Sequence, residues 1–362
     1  MEYRRLGSSG LIVSALGLGT MQFGRAQNVG QLDQQATNEM IRYALDRGIN
    51  FIDTADVYSR GESEELIGNA LKGVREEIVL ATKVRLPMSD HDFNRSGSTR
   101  VNIMRGVESS LRRLQTDYID LYQLHGWDSN TPLEETLRTM DDLVRQGKVR
   151  YIGLSNYYAW QAATALGLQE AMSLEKFVTA QMYYSLVGRD LEHDWLAFAE
   201  YSGLGILVWS PLAGGFLAAK YARDAAPPQQ TRFAEAGQFV PFDRERGFAV
   251  TDVLRQVAQR HGVSAACVAV AWTMSRPMIS SVLIGARKLE HLGDNIKAAD
   301  LKLSDDELTE LDAVSHPGTP YPKWMVLQLD QAEDPRPKVL EPERFKDGGI
   351  WKDLRSGPRE KV

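Results

Sequence analysis

Residues 118–156, YIDLYQLHGWDSNTPLEETLRTMDDLVRQGKVRYIGLSN, hold one complete unit of a repeating pattern. A β-rich run (118–125) leads into a helical segment from Leu133 to Gln146, and a second β-rich run (150–156) follows. Thr131-Pro132 suits the start of that helix and Gly147 its end, since proline fits the first helical position and glycine the left-handed exit. A strand, a helix and a strand at this spacing imply parallel pairing through a right-handed crossover.

Read outward in both directions, the unit recurs. Strand-like runs fall at 15–20, 50–55, 77–84, 118–125, 150–156, 177–185, 205–211 and 280–286. Helical segments lie between them: Asp33 to Arg47, Glu62 to Lys72, Thr99 to Leu114, Leu133 to Gln146, Ala159 to Glu170 and Glu192 to Tyr201. Their apolar residues keep helical spacing, as Met40, Ile41, Ala44 and Leu45 do, and Asp33 or Thr37 can cap the first. Eight such units close into a (β/α)8 barrel, the TIM-barrel form of the α/β class. The rival is an open doubly wound sheet, which carries G-x-G-x-x-G after its first strand. Here Gly17-Leu18-Gly19 is followed by Gln22 where the third glycine belongs, so the closed barrel is the expectation.

Three features lie outside the repeat. YRRLG and LIVSALG, parted by Ser8-Ser9-Gly10, read as an N-terminal hairpin. Residues 213–245 form a long excursion, and two extra helices, Glu245 to His261 and Ser264 to Arg276, precede strand eight. Beyond Ser315 the chain is rich in proline and charge. Residues 1–316 are therefore expected to form the barrel. Residues 317–362 read as an extended C-terminal arm on or near it, or as a disordered terminus in the last stretch, and not as a second domain.

The bulk numbers narrow the function classes. The 362 residues are 43% hydrophobic and 25% charged, with a net charge of −6. That is the balance of a soluble globular chain. It offers no basic footprint for nucleic acid or an anionic membrane, and no apolar run is long enough for a span. A single cysteine, Cys267, allows no internal disulfide, and with no signal-peptide pattern at the N-terminus a cytoplasmic location is expected. HExxH, P-loop, GxSxG and paired-cysteine patterns are missing, and the six histidines are scattered.

Barrel chemistry gathers at strand C-termini. Asp53 ends the second run, Lys83 the third and His125 the fourth, while Tyr58 sits on the loop after Asp53. A neutral tyrosine is a proton donor, and an adjacent ammonium favours its phenolate. Asp53 can keep Lys83 charged, and His125 can hydrogen-bond a carbonyl oxygen. Such a set protonates an oxygen as it becomes an alkoxide. Reduction also needs a hydride, which no side chain supplies and a nicotinamide cofactor does.

With these residues in view, the chain resembles the aldo-keto reductases. FIDTADVY followed by SEELIG, ATKV, DLYQLH, LVRQGKVRYIGLSN and WSPLAGG stand in that family's order. The resemblance implies Tyr58 as general acid, Asp53 and Lys83 tuning it, and His125 orienting the substrate. It implies NADPH as cofactor, with NADH possible. Gly19, Thr20, Met21 and Asp53 belong to its site. Ser155, Asn156 and Gln181 hold the carboxamide, and Trp209 stacks on the nicotinamide. Ser210, Pro211, Leu212 and Gly214 meet the pyrophosphate. Gly285, Arg287 and His291 lie by the adenosine phosphate, and Asp294 and Asn295 by the adenine. His291 stands where many relatives carry Gln or Arg. Phe23 and Trp127, with Tyr58 and His125, are expected to wall a pocket for a small-molecule carbonyl or alcohol substrate. Two functions suit this set: NADPH-dependent reduction of an aldehyde or ketone, reversible to alcohol oxidation, or a nucleotide-sensing regulatory subunit with little turnover. None of the motifs specifies an oligomeric state.

Overall fold

The computed structural model describes residues 1–25, 32–223 and 240–330. Its centre is a closed barrel of eight parallel strands: β3 (Leu16–Gly19), β4 (Phe51–Asp53), β5 (Val79–Val84), β6 (Ile119–Leu124), β7 (Val149–Ser155), β8 (Phe177–Tyr183), β9 (Gly205–Trp209) and β10 (Ile279–Ile284). Each pairs with its successor, and β10 pairs with both β9 and β3. A two-stranded antiparallel hairpin, β1 (Tyr3–Arg5) and β2 (Ile12–Ser14), precedes them. The barrel and the hairpin are as the sequence implies.

The two-residue period of a strand explains the layering inside. Phe51 and Asp53 share one face of β4, Ala81 and Lys83 one face of β5, and Leu121 and Gln123 one face of β6. Phe51, Ala81, Leu121, Leu207 and Leu283 form one apolar cluster with Leu6 and Val13. Leu6 comes from the hairpin turn and Val13 from β2, so the hairpin plugs one end of the barrel. Two residues further along the same strands stand the buried polar side chains Asp53, Lys83 and Gln123, with Gln181 beside them on β8. The intervening residues, among them Ile52, Leu80, Tyr122 and Ile152, pack in the large core shared with the helices. Both faces of the sheet are buried, which is why these strands read as nearly continuous apolar runs.

Helices α1 (Gln34–Leu45), α2 (Glu62–Ala70), α3 (Arg100–Leu114), α4 (Leu133–Arg145), α5 (Ala159–Ala171) and α6 (Trp195–Ser202) fill the crossovers. Asp33, not Thr37, caps α1 by accepting from the Ala36 amide at 3.0 Å. The sixth starts later than its pattern implies, because a 3-10 turn at Asp190–Glu192 intervenes. The extra helices before β10 are α7 (Arg244–His261) and α8 (Ala265–Met274). Of the 213–245 excursion, residues 224–239 lie outside the described residues.

After β10 come α9 (Leu289–Ile296) and α10 (Asp305–Ser315). Neither emerged from the strand pattern, although Ser304 and Glu307 form a capping box that marks the second. The tail corrects an expectation. What reads as extended arm contains helix α11 (Lys323–Asp330). The stretch KWMVLQLD has no proline, and the carbonyls of Pro320 and Pro322 accept the amides of Trp324 and Val326. Proline here starts a helix rather than preventing one. Residues 331–362 lie outside the described residues.

Asp312 anchors α10. Its carboxylate accepts from Trp272 Nε1 at 3.0 Å, Arg276 Nη1 at 2.9 Å and Arg189 Nη1 at 3.1 Å. Arg189 is only 6% exposed and keeps a second partner in Glu192. Asp312→Ala strands the Arg276 guanidinium and the Trp272 indole N–H and is expected to destabilise the fold by about 2 kcal/mol. Urea unfolding checks this, and an unchanged midpoint would count against the anchoring role.

Candidate active site

The polar layer of the barrel closes around one ion pair. Lys83 Nζ donates to Asp53 Oδ2 at 2.6 Å and to the Thr54 carbonyl at 2.7 Å, and it lies 5.1 Å from the centroid of the Tyr58 ring. Two of the three N–H bonds of the ammonium are thus placed, and the phenol of Tyr58 is the neighbour of the third. Asp53 Oδ1 accepts from Gln181 Nε2 at 2.8 Å and Gln123 Nε2 at 3.2 Å. Burial opposes the charge on Lys83, but Asp53 and Tyr58 beside it prevail and raise its pKa above the usual lysine value.

Tyr58 opens a tight loop. Ser59 and Arg60 have φ of 47° and 55°, and Gly61 has φ of 100°. Three consecutive left-handed residues turn the chain sharply between β4 and α2. Ser59 Oγ donates to the Phe23 carbonyl at 3.0 Å, which braces the turn. The ring of Tyr58 meets that of His125 edge-on, with centroids 5.9 Å apart. Burial, then the Lys83 and Arg85 cations, pushes the His125 pKa down to about 3. The imidazole is therefore neutral at physiological pH. Its Nδ1 is buried without a protein partner.

These groups border a cavity of about 1280 Å³. Asp53, Tyr58 and His125 line it, and so does every residue expected to hold the cofactor. Gly19, Thr20 and Met21 come from the end of β3 and the loop after it. At the end of β7, Ser155 Oγ donates to the Gln181 carbonyl at 2.8 Å, and Asn156 Nδ2 donates to the His125 carbonyl at 3.1 Å. Trp209 Nε1 donates to Asn156 Oδ1 at 3.1 Å, and its ring packs against Tyr183. Past β9 the backbone doubles back through left-handed Ser210, Ala213, Gly214 and Gly215. Ser210 Oγ accepts the Gly214 amide at 3.0 Å, and Pro211 and Leu212 complete the bend.

The other end of the cavity is cationic. Arg287, Lys288 and His291 line it with Asp294 and Asn295, and Lys220 joins them. Burial and the nearby Arg287 lower the Lys220 pKa below the ordinary lysine value. Asp294 accepts from Ser264 Oγ and pairs with Lys297 at 3.3 Å. At Gly285 a Cβ would lie 2.7 Å from Gln22 Oε1, the tip of a side chain, and 3.1 Å from the Gly19 carbonyl oxygen.

Two expected substrate residues stand elsewhere. Phe23 is 1% exposed, its ring in the core. Trp127 packs against Tyr157 and Trp160. Neither is among the residues that line the cavity, whereas Leu86 and Val57 are. Both departures have one cause: adjacency to a strand end does not settle which way a loop side chain turns. Lys220, Lys288, Gln22 and Leu86 were not anticipated, and only the charges of the two lysines offered any signal.

A dinucleotide suits this lining. One end offers amide and hydroxyl side chains with an aromatic ring, the middle a left-handed backbone bend, and the far end a cluster of cations. No group of residues fit to hold a metal ion occurs among the described residues. No described helix is long and apolar enough to cross a membrane.

Comparison with known proteins agrees. The model of the Aldo/keto reductase family matches residues 15–316, so the chain belongs to that family of oxidoreductases, which generally use NAD(P)H and act on small molecules. It is 38% identical over 334 residues to the uncharacterized oxidoreductase YrpG of Bacillus subtilis, covering 89% of this chain and 99% of that one. It is 32% identical to the versiconal hemiacetal acetate reductase of Aspergillus parasiticus, with the same coverage. It is 35% identical over 312 residues to a probable voltage-gated potassium channel subunit beta of Arabidopsis thaliana, covering 83% and 92%.

Asp56, between Asp53 and Tyr58, was also unforeseen. Burial, and then the neighbouring Glu64, push its carboxyl pKa up to about 8, and its Oδ1 has no partner. The folded value exceeds the unfolded 3.8, so the neutral group's contribution is fully present below pH 3.8 and is lost as pH rises through 8. Asp56→Asn removes this loss. Its stability advantage over the parent should grow by up to about 1.4 kcal/mol per pH unit across that window. Urea unfolding at acidic and mildly alkaline pH tests this; parallel pH trends would contradict it.

Proposed function

We propose that this chain reduces an aldehyde or ketone to the alcohol with NADPH, reversibly, and that Tyr58 is the general acid. The observation that carries the reading is the buried Lys83 ammonium beside Tyr58. Held by Asp53 and Thr54 and 5.1 Å from the centroid of the Tyr58 ring, it stabilises the phenolate that forms as the tyrosine proton leaves. When bound, a reduced nicotinamide supplies the hydride for the carbonyl carbon. The oxygen takes its proton from Tyr58, and solvent restores the phenol. His125 orients that oxygen as a neutral donor. Placing its hydrogen on Nε2 leaves the partnerless Nδ1 as an unmet acceptor rather than an unmet donor, the less costly choice. Ser155, Asn156 and Gln181 offer the carboxamide its hydrogen bonds, and Trp209 offers a ring for the nicotinamide face.

The cationic end supports NADPH over NADH. Lys220, Arg287 and Lys288 gather where a 2′-phosphate adds charge and acceptors that NADH lacks. Lys220→Ala and Arg287→Ala should each weaken NADPH binding about tenfold or more and leave NADH binding nearly unchanged. Fluorescence titration of the tryptophans measures both, and tighter binding of NADH by the parent would overturn the preference. A cytoplasmic setting, where NADPH is supplied, fits a chain whose only cysteine is the buried Cys267.

The potassium channel relative favours a second reading, a nucleotide-sensing subunit with little turnover. Steady-state reduction of a generic aromatic aldehyde separates the two. Tyr58→Phe should lower kcat by a factor of about 100 or more while cofactor affinity holds. Wild-type rates in that variant would refute the acid assignment, and an inert parent that still binds NADPH would favour the sensor.

A further inference from the structure

Arg85 lies just past the end of β5, two residues beyond Lys83. Its φ is 136°, a conformation that residues with a Cβ rarely adopt. The carbonyl of Arg85 accepts the Gly97 amide at 2.8 Å, and its Nη2 donates to the Trp127 carbonyl at 3.0 Å. Its Nε is buried without a partner. Backbone strain and an unmet buried donor persist together only where the surroundings over-determine them, and such places cluster at functional sites. Trp127 follows His125 by two residues. The guanidinium thus ties the loop after β5 to the loop that carries the imidazole.

We propose that Arg85 is a positioning residue for His125: by clamping the Trp127 carbonyl and setting a fixed positive charge beside the imidazole, it holds the ring in one orientation with its N–H toward the cavity. This rests on the reading of His125 as the group that orients the substrate carbonyl, and it adds the element that keeps His125 fit for that work. No contact between Arg85 and substrate is involved.

The charged and titratable groups around the ring are few. From the β4 loop, Tyr58 meets His125 edge-on at 5.9 Å. The charge of Lys83, from β5, is matched by Asp53 at 2.6 Å. Asn156, from the end of β7, is neutral and bonds the His125 carbonyl. Asp128, in the loop of His125 itself, accepts from Ser98 N, Asn130 N and Thr131 Oγ1. Arg85 acts on Asp128 and Tyr157 as well as on His125. It is therefore the cation near the ring that no side-chain carboxylate bonds directly among the described residues, and the imidazole should feel its removal.

Nitrogen NMR of the histidine rings in the full chain, labelled with nitrogen-15 and free of cofactor, tests this without reference to turnover. His125→Asn identifies the signals of interest. In the parent, His125 should remain one neutral tautomer with Nε2 protonated across roughly pH 5.5 to 8.5. In Arg85→Met its ring nitrogens should move, either toward a tautomer mixture or into a titration within that window. Arg85→Lys, which keeps the charge, should stay close to the parent. Should Arg85→Met fail to fold, Arg85→Gln carries the same expectation, because it stays polar but has no charge and is too short to keep the clamp on the Trp127 carbonyl. Parent-like His125 signals in the uncharged variant overturn the proposal. In kinetics, Arg85→Met should lower kcat roughly tenfold with cofactor affinity within about twofold; equal loss of both would mark a merely structural residue and also overturn it. A parent inert toward every carbonyl would remove the functional reading and leave the NMR result on Arg85 standing.

Discussion

A lysine with no exposure at all sits at the centre of this molecule, and the site depends on how its charge is satisfied. A lone ammonium in a barrel interior would be expelled or neutralised. Lys83 stays because Asp53 lies 2.6 Å away and is itself braced by Gln123 and Gln181. Four strands meet in that cluster, so strand register and site geometry are one constraint. The pair need not add to net stability, since desolvating two ions opposes their attraction. What it does is leave a single arrangement for the polar layer, with the Tyr58 ring beside the ammonium.

From that cluster the cavity runs toward charge of the opposite role. Near the barrel axis the cations are matched and the imidazole is neutral. At the far end Lys220, Arg287 and Lys288 line the same cavity, and burial, then Arg287, makes Lys220 harder to protonate. A polyanion relieves such repulsion, which is the electrostatic reason that end suits phosphate. Between the ends, non-glycine residues in left-handed conformations, Asn156, Ser210 and Ala213, bend the chain around the space a dinucleotide would take. With Arg85, they place backbone strain on the rim of the barrel rather than in its walls.

Much of this was legible in the sequence, for a physical reason. A strand buried on both faces must be apolar almost throughout, so Asp53, Lys83 and His125 at three strand ends stand out from FID, ATKV and YQLH. The glycines of WSPLAGG and the capping serine of SDDEL are equally local signals. Gln123 gave none, because an amide in an apolar strand looks the same whether it braces a carboxylate or faces a helix. Phe23 and Trp127 misled for a related reason: an aromatic residue near a strand end is as well suited to the core as to a pocket wall.

The sequence by itself determined the order of strands and helices, the closed parallel barrel, and which chemical groups arrive at its rim. Those follow from periodicity, chain order and the side-chain alternation of a strand, all of which are local. Only the tertiary structure decided that Lys83 comes to lie beside Tyr58, that Asp56 is buried beside Glu64, that Lys220 comes to rest near Arg287, and that Arg85 reaches the loop of His125. Each of these joins residues from different strand ends or loops. Such distances are set when the barrel closes, and no segment of the chain carries them alone.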